Sequence, residues 1–117
     1  MDDRTLEMSL LFDFYGELLT GKQREYFDLY YNENLSLSEI AENVGITRQG
    51  VRDIILRAEN TLVETERRTG IVKRFEAMTK QIEEAEKYAE KLAACAPDKD
   101  AAAAAKRLMT VLKELKG

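Results

Sequence analysis

The chain has 117 residues, 22 acidic and 18 basic side chains, a formal net charge of −4, one Cys, one Pro and no His. That length suits one domain with an appendage, and a hydrophobic share of 44% argues against a disordered chain. Without histidine there is no His-dependent triad, no His metal site and no imidazole switch, and Cys95 alone makes neither an internal disulfide nor a Cys-only zinc site. No metal, no other cofactor and no catalysis are therefore expected, and a reducing cytoplasm is the simplest home. The start, Met1-Asp2-Asp3-Arg4, is acidic where a signal peptide is basic. No apolar run approaches the roughly 18 residues that span a bilayer, so membrane insertion is not expected.

Helical signals run through the whole chain, and no Val/Ile/Thr-rich alternation suggests a strand. A first helix is expected from about Asp3 to Leu18, with Leu6, Leu10, Leu11, Phe14 and Leu18 at helical spacing. Thr20-Gly21-Lys22-Gln23 reads as a capping box opening a second helix that runs to about Tyr31. Asn32-Glu33-Asn34 is a turn, and Ser36-Leu37-Ser38-Glu39 is a second capping box. It opens a short helix that carries Ile40, Ala41 and Val44. Gly45 is expected to end this helix in the left-handed region, and Thr47 to cap a fourth helix from Arg48 to Thr69, where Gly70 interrupts.

The stretch 36–62 has the layout of a helix-turn-helix: a short helix, a turn containing Gly, and a second helix. Small Ala41 lets the two helices approach, Gly45 supplies a positive φ, and Ile46 and Val51 are expected to fill the angle between them. An ordinary corner in a helical bundle is the bland alternative. At 3.6 residues per turn, Val51, Ile55, Ala58 and Leu62 face inward. Gln49, Asp53, Leu56 and Asn60 face outward, flanked by Arg52 and Arg57. Gln49 suits adenine and Arg52 suits guanine in a major groove. Thr47 and Arg48 suit phosphates, and Lys22, Arg24 and Arg57 could add positioning contacts. Asp53 could accept from cytosine N4 but repels phosphates, and Leu56 favours a protein contact or a thymine methyl. From Arg48 to Glu59, three Arg stand against Asp53 and Glu59, a net of +1, so one copy is expected to hold DNA weakly and in a salt-sensitive way.

A resemblance rests on named residues. Leu19 to Phe27, Tyr30-Tyr31, Leu35 to Glu42, Gly45 to Arg48, Val51 and Arg57-Ala58 resemble the promoter-binding C-terminal domain of bacterial sigma factors, over about residues 19–62. The matching sigma positions usually carry Ser and then a basic residue where this chain has Asp53 and Ile54. The whole chain, with its acidic aromatic N-terminus and long C-terminal helices, more closely resembles the YlxM family. Those are small cytoplasmic helix-turn-helix proteins whose genes accompany those of signal recognition particle components. The resemblance implies a regulatory or accessory role in that pathway, with duplex DNA, the particle's RNA or the particle's protein as partner.

Beyond Gly70 the residues Ile71, Phe75, Met78, Ile82, Ala85, Ala89, Leu92 and Ala96 form a heptad stripe. Pro97 breaks it, Asp98 or Asp100 can cap a last helix, and Ala101, Ala105, Leu108, Leu112 and Leu115 continue the spacing. Two such helices suggest an antiparallel hairpin. It could simply pack on its own chain. The long stripe outruns the second helix, however, so Ile71, Phe75, Met78 and Ile82 are expected to form the seam of a homodimer. Other candidates are weaker. Glu83, Glu84, Glu86 and Glu90 read as a solvated helix face, Cys95 lacks a nearby base, and Tyr26, Phe27, Tyr30 and Tyr31 read as core in preference to a base-stacking platform. The expectation is an all-α chain: residues 1–69 as an N-terminal helix plus a sigma-like helix-turn-helix domain, and residues 70–117 as an amphipathic, dimerising helical hairpin.

Overall fold

The computed structural model describes residues 3–117. Six helices follow one another: α1 (Asp3–Tyr15), α2 (Gly21–Tyr31), α3 (Leu37–Val44), α4 (Arg48–Thr69), α5 (Ile71–Ala94) and α6 (Lys99–Lys116). A 3-10 turn, Gly16–Leu18, follows α1, and no strand occurs among the described residues. The all-α expectation therefore holds, with a helix-turn-helix in α3 and α4.

Local chemistry explains most of the helix ends. The Thr20 hydroxyl accepts from Gln23 N at 3.2 Å while the Gln23 side chain accepts from Thr20 N at 3.0 Å. Ser36 and Glu39 repeat the arrangement at 3.1 and 3.0 Å, and these bonds hold the Glu39 carboxyl below its ordinary range. Gly45 has φ +75° and nothing within 4 Å of where a β-carbon would stand, so backbone conformation alone demands glycine there. Gly70, at φ +63°, ends α4 in the same way. Asp98, not Asp100, caps α6, accepting from Ala101 N at 2.8 Å.

The chain divides into two compact units after Val72. In the first, two apolar clusters share α4. Met8, Leu11, Tyr15, Leu19, Phe27, Ala58, Leu62 and Val72 form one, and Tyr26, Ile40, Ala41, Val51 and Ile55 form the other. The inward stripe of α4 is as expected, with Val51, Ala58 and Leu62 fully buried and Ile55 nearly so.

Two expectations fail here. The first helix stops at Tyr15, and its inner face is Met8, Leu11 and Tyr15, while Leu6 is 53% and Leu18 63% exposed. Apolar residues lie most of the way round α1, so spacing alone could not select a face. Tyr15 is selected by what lies across from it: its hydroxyl is 2.6 Å from both Glu66 Oε1 and Thr69 Oγ1. The same Glu66 oxygen also accepts from Val72 N at 3.1 Å, which ties α1 to the break at Gly70. Ile46 does not fill the angle between α3 and α4 either. It is 40% exposed, because the turn after Gly45 carries it outward and leaves Tyr26, Ile40, Val51 and Ile55 to close the corner.

In the second unit, Ile82 and Ala89 of α5 pack with Leu112 of α6, flanked by Ala85 and Met109. Leu92 and Cys95 lie beside Ala101, Ala105 and Leu108 around the connecting turn, and Lys116 Nζ meets Glu86 Oε1 at 2.7 Å toward the other end, so the two helices run antiparallel. Met78, one turn before Ile82 on α5, is 55% exposed, and Ile71 and Phe75 are 43% and 42% exposed. The expected hairpin is present, and its stripes meet only in part. No helix among the described residues is long and apolar enough to cross a membrane.

Gly45→Ala should lower the unfolding free energy by about 1–2 kcal/mol in urea titrations, with Gly45→Asn costing less, because only the left-handed backbone is at stake. Alkaline pH should also destabilise the fold. Burial, then the bond to Glu66, pushes the Tyr15 hydroxyl up, and burial with Glu59 pushes Tyr31 up to about 12. An unfolded tyrosine ionises at about 10 and loses its proton first, so these two groups should leave stability unchanged below about pH 10 and erode it as pH rises above that, for Tyr31 up to about 12. Circular dichroism against pH, compared with Tyr15→Phe and Tyr31→Phe variants, reads this.

Candidate nucleic-acid interface

The outer surface of the helix-turn-helix is set by the first turns of α4. Thr47 caps that helix, its hydroxyl oxygen accepting from Gly50 N at 3.0 Å. The hydroxyl hydrogen stays available to an outside acceptor. A β-carbon at Gly50 would stand 3.2 Å from Thr47 Oγ1 and 3.4 Å from Ile46 Cδ1, so glycine lets the cap and Ile46 close over this turn. With Val51, Ile55, Ala58 and Leu62 turned inward, Arg48, Gln49, Arg52, Asp53, Leu56, Arg57 and Asn60 are left exposed.

Two pairings reshape this face. Gln49 Nε2 donates to Asp53 Oδ1 at 2.9 Å, so the side chain expected to read adenine and the acid expected to oppose phosphates are joined. Glu59 is turned away from the outer face, its side chain only 12% exposed. It accepts from Arg4 of α1 at 3.1 Å and from the Tyr31 hydroxyl at 3.0 Å. The residue count that set three Arg against two acids therefore understates the outer face: one of those acids is spent on Arg4. The i,i+4 spacing of Gln49 and Asp53 was a legible signal for the first pairing. Nothing in a sequence separation of 55 signalled the second.

Leu56, 37% exposed, borders a notch with Tyr30, Leu37, Arg52, Ile55 and Glu59, a cavity of about 110 Å³. Lys22 and Arg24 lie exposed on the first turn of α2. Arg24 lines a different hollow, with Phe12, Gly21, Glu25 and Asp28, and so is not gathered with the α4 cations. Arg67 and Arg68, at the far end of α4, are both bonded to Glu64 and hold its carboxyl down to about 2. The aromatic run of α2 is core: Tyr26 and Phe27 are buried, and Phe27 stacks on Phe12 with ring centroids 4.9 Å apart. The Cys95 thiol donates to Lys91 O at 3.0 Å.

Comparison with known proteins agrees with this fold. Residues 2–100 match the family model UPF0122, described as "Putative helix-turn-helix protein, YlxM / p13 like". A UPF0122 protein of Caldanaerobacter subterraneus subsp. tengcongensis is 52% identical over 83 residues, 71% of each chain. One from Thermoanaerobacter sp. is 48% identical over 87 residues, 74% of each chain. Another, from Halalkalibacterium halodurans, is 43% identical over 93 residues, 80% of this chain and 85% of its own. A helix-turn-helix with an exposed, Arg-bearing second helix, a family match over most of the chain and relatives near half identical lead to one conclusion: this chain belongs to the UPF0122, YlxM/p13-like family of helix-turn-helix proteins.

Proposed function

We propose that this protein is a non-enzymatic, cytoplasmic regulator that binds duplex DNA through the outer face of α4. The observation that carries the reading is the exposure of Arg48, Gln49, Arg52 and Arg57 on one helix whose opposite face is fully buried, with Glu59 turned away from them. Gln49 and Arg52 address base edges, Thr47 and Arg48 address phosphates at the helix start, and Arg57, Lys22 and Arg24 add positioning contacts. Few cations per copy make a second copy useful, and the seam proposed for it runs along Ile71, Phe75 and Met78, while Ile82, also expected there, is buried against Leu112 of its own chain. The seam's support is that Ile71, Phe75 and Met78 are each at least 42% exposed. A homodimer would double the phosphate contacts.

A second reading is favoured by the notch at Leu56, which is apolar enough to receive a side chain. In that reading the protein is an accessory factor of the signal recognition particle pathway, as the YlxM resemblance implies, contacting the particle's RNA or protein without duplex DNA.

Selection from a random duplex pool at low salt tests the first reading, which requires an enriched sequence. Arg52→Ala should then cost about 1–3 kcal/mol of binding and relax the sequence preference at one position, whereas Arg48→Ala should flatten the salt dependence by about one ion, both measured by fluorescence anisotropy. Leu56→Asp should hurt mainly capture of the particle's protein, and a loss there with no enriched duplex for the parent would favour the accessory role. Met78→Glu should convert a dimer to monomer in analytical ultracentrifugation at micromolar concentration, and a monomeric parent protein would remove the seam.

A further inference from the structure

We propose that Asp53 is a specificity-determining residue: bonded to Gln49, it makes the middle of the α4 face an acceptor surface that selects a base carrying an exocyclic amino group. The inference rests on the duplex-binding reading above. A carboxylate can only accept, so the bond of 2.9 Å between Gln49 and Asp53 assigns the Gln49 NH2 to the Asp53 side and turns its Oε1 the other way. Both side chains are exposed, one turn apart on α4, so neither is held by the core. What the pair shows outward is the amide Oε1 together with the remaining lone pairs of the carboxylate.

In the major groove only adenine N6 and cytosine N4 are donors, whereas guanine O6 and N7, adenine N7 and thymine O4 are acceptors, so cytosine meets this surface with a donor alone and adenine with a donor beside an acceptor. An unrestrained Gln49 could turn its amide over and meet either kind. Tied to Asp53, it meets a donor favourably and an acceptor with lone pair against lone pair. The carboxylate charge strengthens the rejection and weakens contact with nearby phosphates, so selectivity at this position is gained against overall affinity.

Asp53→Asn keeps an acceptor for Gln49 and turns an NH2 outward, changing the outward chemistry without changing shape. The full-length chain and its Asp53→Asn and Gln49→Ala variants would each be selected against a random duplex pool at low salt. The expected result is that at one position the parent enriches base pairs with the amino base (A or C) on one fixed strand of the bound motif by roughly tenfold over the strand-reversed pairs, and that Gln49→Ala also loses this preference. Asp53→Asn should lose or invert that preference, leave the other positions unchanged and bind more tightly overall. The absence of such a strand preference at that position, or one untouched by Asp53→Asn, overturns the assignment while leaving duplex binding standing. Recovery of no enriched duplex by the parent overturns the duplex reading and this inference with it.

Discussion

The first unit depends on one buried stripe. Val51, Ile55, Ala58 and Leu62 on α4 belong to two separate apolar clusters, the upper pair packing against α2 and α3 and the lower pair against α1 and α2. A single helix is therefore the common wall of both. Burying its inner face so completely leaves it little freedom to rotate about its axis. The presentation of Arg48, Gln49, Arg52 and Arg57 on the opposite face is then a consequence of packing and not of the loop that precedes the helix. Ala58 matters for the same reason as Ala41: a short side chain at a crossing point lets neighbouring helices approach closely.

Electrostatics on that face differ from what a residue count suggests. The chain is acidic overall, and a window from Arg48 to Glu59 is barely positive. Folding sorts these charges. Glu59 goes inward to meet Arg4 and Tyr31, and Glu64 absorbs Arg67 and Arg68, while Arg48, Arg52 and Arg57 stay on the surface. Most such pairs contribute little to stability individually because they are exposed and screened. Their effect is to decide which charges a partner meets.

The second unit follows a different logic. The α5–α6 hairpin has a thin seam of Ile82, Ala89 and Leu112, closed at one end by Lys116 and Glu86, with Leu92, Leu108 and Leu115 each at least 43% exposed. Two helices with so much alanine between them bury little apolar area, and the hydrophobic effect scales with that area. The family model ends at Asp100, in the first turn of α6, so most of this last helix lies outside the part the family shares.

The helix boundaries from Thr20 to Gly70 were legible because they are local: a hydroxyl and a carboxamide three residues apart, or a glycine after the last turn, make a cap whatever the rest of the chain does. The inward stripe of α4 was legible because its apolar residues are confined to one face. The inner face of α1 was not, since apolar side chains surround that helix and the choice fell to Tyr15, whose partners Glu66 and Thr69 lie more than fifty residues away. Ile46 was misjudged because a turn's direction depends on how α3 and α4 cross. Short-range bonds and periodicity thus place the helices and the buried face of the second motif helix. The removal of Glu59 from the outer face by Arg4, and the pairing of Lys116 with Glu86, follow from packing alone, because those contacts join side chains with no periodic relation in the chain.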